Sequence, residues 1–447
     1  MIIPASPVAV APLRDDLAMD ENEFRRLLHL GLGRAILYAR EHDVRAFRSL
    51  ILDACINCYA IDPQSEGTRA DFMLDLVNLL PDHEFFREGI LNSLANCGDD
   101  WHAKQRFRFA ACLAQKGDEQ AKLLMYESFV PGAKMGDGIA IDFMNLDGMD
   151  GFLFAVEKLG RLLSENPKHV DLGWLMSVAT DSLGEQAAWD GLRESAARNP
   201  FVQVYLSAVE RFETKNNRTS DKNSIIGASY DQLLDKLPMK WPARLGFWGE
   251  SAADDDLQRA AQGLISAAEA EMQRSHLAIF GRRRFPLDHR ILFEFATSSN
   301  EQIQWAALKA LSKISDPAVR NLSFDLVQKR AKLRALAIGL LDQNFQSGDH
   351  KIVLNWFETE ENLETLHTES LGIFAFWRAH PCEDLHNRML LDLYEKCPCS
   401  FCREGAVSSL LERNALPMHI RAECAWDANS DIRELVKANE GQIESPQ

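Results

Sequence analysis

The stretch Asn300–Leu341, NEQIQWAALKALSKISDPAVRNLSFDLVQKRAKLRALAIGLL, decides how the rest of the chain is read. Its apolar residues recur at helical spacing. Ile303, Ala306, Ala307, Ala310, Leu311 and Ile314 form one stripe. Asp316-Pro317 then closes that segment and opens the next, because Asp caps a helix N-terminus and Pro fits the first turn. Val319, Leu322, Phe324, Leu326 and Val327 mark a second helix, and Leu333, Leu336, Ala337, Leu340 and Leu341 a third. Each is too short to be stable alone. Stacked side by side, they bury one continuous core.

The composition bounds what such stacking can build. At 447 residues the chain exceeds the size at which one compact core keeps growing. Two or three compact domains would suit it, and so would one elongated array. Hydrophobic residues make up 46% and charged residues 26%, ordinary for a folded soluble protein. The net charge of −17, from 66 acidic against 49 basic side chains, disfavours a general nucleic-acid binder, since phosphate binding rests on Lys and Arg. It favours solubility and a basic partner. Nine cysteines, an odd count, suit reduced core thiols better than a disulfide framework. The start, MIIPASPVAVAPLRDD, has no basic residue before a short, proline-broken apolar run. It is a poor signal peptide and too short to span a membrane. The expectation is a flexible arm over 1–20 in a cytoplasmic protein.

Two openings carry a resemblance. Asp316-Pro317-Ala318-Val319-Arg320 and Asn429-Ser430-Asp431-Ile432-Arg433 each set an acidic or amide cap before a β-branched residue and Arg. With the apolar run 300–314, which has Gln304 where Arg is usual, they resemble the HEAT repeat. The resemblance covers roughly a third of the chain, clearest at 300–341 and 402–436. It implies an all-α fold, an α-solenoid of stacked antiparallel helix pairs used as a binding surface. About ten pairs of roughly 40 residues would fit the length. Some HEAT-like proteins are DNA glycosylases that cradle DNA on a basic face with Trp and Asp. No residue here matches such a catalytic position.

The chain divides by composition. Residues 21–215 carry short amphipathic stripes, such as Phe24, Leu27, Leu28, Leu32 and Ala35, broken at short intervals. Within them, 131–151 holds five glycines and four aspartates, and reads as an irregular loop. EF-hand spacing fails there, because Phe143 would fall on the first ligand position and Phe154 on the closing glutamate. A turn-rich connection leading to a helix near Phe152 is expected, with a non-EF metal site as the alternative. The polar segment 216–227 reads as a linker, and 228–447 as a second repeat region. That region opens with a Trp-rich loop, and one long helix is expected from about Ala252 to Phe280. No convincing strand pattern is present.

No P-loop, G-x-G-x-x-G, G-x-S-x-G or H-E-x-x-H motif occurs, so no catalytic residue and no cofactor is expected. Gly31-Leu32-Gly33 lacks the third glycine and lies in a helical stripe. Cys397, Cys399, Cys402 and Cys424 offer C-x-C-x-x-C spacing plus one distant thiol, which could hold zinc. The spacing is not that of a standard finger, so reduced, packed thiols without stoichiometric zinc are expected. Arg282, Arg283 and Arg284 form the strongest basic cluster, a candidate anion or partner contact. Trp241 and Trp248 are candidate partner-binding aromatics, whereas Trp305, Trp356 and Trp377 fall on core stripes. The function expected is a non-enzymatic scaffold or adaptor for a protein partner. Nucleic acid and membrane are not expected partners. The alternative is a glycosylase-like nucleic-acid processor using a local basic patch.

Overall fold

The computed structural model describes residues 19–95, 101–130, 136–166, 172–220, 225–329 and 333–443. Among these the chain is all-α, from the Glu21–Leu30 helix to the Ser430–Ile443 helix, without a β-strand. No helix among the described residues is long and apolar enough to cross a membrane. The expected arm over 1–20 lies almost wholly outside the described residues.

The helices start and stop where local chemistry dictates. In the deciding stretch they run Glu301–Leu311, Pro317–Lys329 and Arg334–Gly339. The Asn300 side chain caps the first by accepting from the N–H groups of Gln302 and Ile303. Asp316 accepts from Ala318 N–H at 2.7 Å, with Pro317 at the start of the next helix. Gln304 is buried and donates to the Ala296 carbonyl, closing the end of the preceding helix. Arg320 reaches forward to a bidentate pair with buried Asp349 at 2.6 Å.

The chain forms two compact units. One comprises 1–219 and 398–447, the other 220–397. The expectation of a single C-terminal region from 228 to 447 is therefore corrected, because the last fifty residues belong with the N-terminal helices. The linker reading is corrected in part. The Pro200–Ser220 helix continues through 216–220, and 221–224 lie outside the described residues.

In the first unit the Trp101–Gln115 helix is central. It packs against Arg48–Ile56, Ala70–Val77, His83–Leu94, Glu119–Ser128 and Gly136–Asp147. Buried Gln105 donates to the carbonyls of Ala54 and Asn57 while accepting from Arg69 N–H, so it satisfies the frayed end of Arg48–Ile56. The Gly/Asp-rich segment corrects its loop reading. Gly136–Asp147 and Met149–Glu165 are helices, with the chain reversing at Gly148. Gly151 permits this hairpin, since a Cβ there would lie 2.0 Å from the Phe143 carbonyl oxygen. Residues 131–135 lie outside the description.

The C-terminal helices Ser400–Glu412, Met418–Cys424 and Ser430–Ile443 close onto the N-terminal ones. Ala428 N–H donates to Gly31 O at 2.8 Å, and Arg34 forms a bidentate pair with buried Glu423. The Arg40 guanidinium stacks 3.6 Å over Trp426. Ser400 N–H donates to Glu66 Oε2 at 2.9 Å. At Gly33 a Cβ would sit 2.0 Å from the Glu423 carbonyl oxygen. Thus Gly31, which ends a helix at φ +73°, and Gly33 serve close backbone approach. Behind them Arg403 and Asp427, both fully buried, pair at 3.1 Å.

In the second unit a regular order emerges. Ala243–Ser251 packs on Ala270–Ile279, which packs on Glu301–Leu311. Arg334–Gly339 follows, then Leu363–Ala379. Most members of this row also pack on the helix just before them in the chain. The long helix expected from Ala252 to Phe280 is corrected to two, Asp254–Ser266 and Ala270–Ile279. Gln273 caps the break by donating to Ala267 O, and folding back buries Leu264 and Leu277 in one core.

The buried Arg403–Asp427 pair, which joins two helices of the C-terminal segment, gives a test of how that segment is packed. Arg403→Met alone leaves a buried carboxylate without its cation and is expected to cost about 3–5 kcal/mol. Pairing it with Asp427→Asn is expected to recover more than half of that loss, read as the urea midpoint of the first unit's unfolding.

Candidate functional site

The best candidate lies on the second unit, where three helices expose aromatic and cationic side chains together. Trp241 precedes the Ala243–Ser251 helix and is 76% exposed, and Phe247 on that helix is 46% exposed. Arg282 follows the Ala270–Ile279 helix and stacks 3.8 Å over the Phe247 ring, with Glu250 3.6 Å away. Arg283 is held by Asp254 at 3.0 Å and donates to Glu250 O. Arg284 is exposed. Arg274 ties the Trp241 turn to the next helix. It donates to Met239 O and Lys240 O and contacts the Gln302 side chain. Three residues beyond Gln302, on the same side of Glu301–Leu311, stands Trp305, 46% exposed. The row of these three helices thus carries three exposed aromatic rings and several cations.

Two sequence assignments are corrected here. Trp248, expected at a partner surface, is fully buried in a helix and not in a loop, and its indole N–H donates to Ala228 O at 2.8 Å. Trp305, expected in the core, faces solvent. Trp248 and Phe247 are neighbours, so a helix must turn one inward as it turns the other out. Trp377 is buried as expected, and Trp356 partly so.

The local charge differs from that of the whole chain. Residues 271–340 hold 12 Arg and Lys against 6 Asp and Glu, a net of +6 (12 − 6), within a chain of net −17. Part of this is internally consumed. Arg320 pairs with Asp349, and Arg334 with Glu360 and Glu369.

The cysteines separate between the units. Cys397 ends the second, where its sulfur lies 3.5 Å from the Ser370 hydroxyl. Cys399, Cys402 and Cys424 belong to the first, and all four are buried. Cys399 is the residue before the Ser400–Glu412 helix, and Cys402 lies in its first turn.

The first unit also holds clusters with no sequence motif. Asp142 on Gly136–Asp147 meets Arg108 at 3.2 Å, and Arg108 meets Asp71 at 3.2 Å. Burial lifts the Asp142 carboxyl to about 6, although the Arg108 guanidinium opposes the shift. Lys104 is lowered by burial, and the Cys112 thiol is pushed up to about 12 by burial. Asp142 is 4% exposed, so it reaches no substrate from solvent. Elsewhere Tyr59 donates to Asp53 at 2.5 Å and stacks on His29 at 3.7 Å. Burial and Asp53 raise Tyr59 to about 12, and burial and Arg69 lower His29. At neutral pH these groups are a phenol and a neutral imidazole. Only the four aspartates of 131–151 hinted at the Asp142 cluster, and they gave no partner.

No family model matches the chain, and no curated protein is similar to it. One solved structure, described as an engineered protein, aligns over 96% of this chain and 100% of its own at 12% identity, with a TM-score of 0.19. That score is too low for a shared fold.

The Asp142 cluster generates a pH prediction. A raised carboxyl keeps its proton between about pH 4 and 6, where the unfolded chain has lost it. The folded state then binds more protons, so this group's contribution to stability falls as pH rises through about 6. Asp142→Asn is expected to remove that fall and to leave the melting temperature at pH 8 equal or higher. Melting curves from pH 4 to 8 check it.

Proposed function

We propose that the chain is a non-enzymatic scaffold, a HEAT-like α-solenoid in its second unit, that binds a protein partner through the Trp241–Phe247–Trp305 surface. One observation carries this reading. Large aromatics stand in solvent on alternate members of one helix row, and an arginine stacks on one of them, the residue types that dominate binding energy at protein interfaces. The row of helices 243–251, 270–279 and 301–311, most with a partner just before it in the chain, supports a repeat array that offers such a surface. The Asp142 carboxyl, the most perturbed acid of the first unit, is sealed from solvent, which fits a structural role for it better than a catalytic one.

A second reading has its own support. The excess of cations over 271–340 would suit a nucleic-acid phosphate backbone, the processing role that the HEAT-like resemblance allows. We favour protein because Arg282 and Arg283 already face Glu250 and Asp254. Those carboxylates would repel phosphate.

A photoreactive amino acid at position 241, expressed in the native host, tests the choice. The scaffold reading expects a discrete protein adduct that disappears in Phe247→Ala/Trp305→Ala. As exposed positions, these substitutions should change stability by only about 0.5 kcal/mol each. A nucleic-acid adduct would favour the second reading instead. So would low-salt DNA binding that weakens steeply with salt and is lost when Arg282, Arg283 and Arg284 become Ala.

A further inference from the structure

We propose that Cys399 and Cys402 are two thiolate ligands of a soft-cation site of the zinc class. Their sequence spacing did not compel this, because C-x-x-C alone is equally a packing pattern. The helix does compel closeness. Cys399 is the residue before Ser400–Glu412, and Cys402 is its third residue. Three residues along a first turn bring both side chains to one side. The two sulfurs lie within 4.8 Å of each other. Tetrahedral zinc with bonds of about 2.3 Å holds two thiolates about 3.8 Å apart, so the pair needs only a small closure.

The surroundings suit a bound cation. Cys399 is 2% and Cys402 5% exposed, so water cannot solvate a thiolate at either position. Burial alone therefore favours the neutral thiols, and a divalent cation reverses that preference. The helix start adds partial positive charge beside them, which favours thiolate at both sulfurs. The exchange balances as two thiols and one Zn²⁺ giving a Zn(S-Cys)₂ unit and two released protons. Tetrahedral zinc has two further positions.

Cobalt(II) reads such a site directly, since each bound thiolate contributes to a sulfur-to-metal charge-transfer band. Full-length protein is reduced, freed of metal and titrated anaerobically with cobalt chloride. The expected result is a band of at least two thiolates' intensity with tetrahedral visible bands, both erased by one equivalent of zinc. Cys399→Ser and Cys402→Ser should each lower the intensity and weaken cobalt binding at least tenfold. If these variants fail to fold, the wild-type chain still decides. Zinc is expected to protect Cys399 and Cys402 from iodoacetamide, as mapped by mass spectrometry. The proposal is overturned by a wild-type chain without the band. It is equally overturned by a band that survives in Cys399→Ser/Cys402→Ser, or by alkylation of both thiols that zinc does not change.

Discussion

The first unit depends on a set of charges buried where its two chain segments meet. Arg34 grips Glu423 with two hydrogen bonds and Glu66 accepts the first N–H of the Ser400–Glu412 helix, while within the C-terminal segment Arg403 faces Asp427 out of water. Such groups cannot be left single. A buried carboxylate without its guanidinium would cost several kcal/mol, so the C-terminal helices have one docking position. Gly31 and Gly33 make that position reachable by letting the backbones touch. As a result the chain leaves this unit near 219 and returns at 398, with the whole second unit inserted between.

Local signals carried much of the helical pattern. Asp316 and Asn429 could be read as caps because capping acts over two or three residues, and each does accept from an N–H group just after it. The apolar stripe of 303–314 likewise became a buried face, apart from the half-exposed Ala306. Readings that needed tertiary context did not survive. The glycines of 131–151 suggested a loop, but Gly148 and Gly151 serve a tight helical hairpin. Ala-rich periodicity ran unbroken from 252 to 280, yet a side-chain cap and a shared core split it at 267–269.

The candidate surface was half legible. Arg282, Arg283 and Trp241 lie where the sequence had placed them, in the turns flanking helices. Trp248 and Trp305 exchanged roles, because a stripe gives a helix's inner face only once the neighbouring helices are known. Nothing in the sequence pairs Arg282 with Phe247 or Arg108 with Asp142, since each contact joins residues over thirty positions apart. The buried cysteines show the same limit. Spacing allowed packing or ligation alike, and only the fold shows that the Cys399 and Cys402 sulfurs come within 4.8 Å of each other.

Closure of the first unit by its C-terminal segment is the feature from which the rest follows. Amide hydrogen exchange on the full chain and on a chain ending at Cys397 tests it most directly. The account predicts that truncation strips protection from Glu21–Leu30, Arg34–Glu41 and Ala70–Val77. Glu301–Leu311 and Ala270–Ile279 in the second unit should exchange as before. Unchanged protection of the three N-terminal helices in the truncated chain would contradict it.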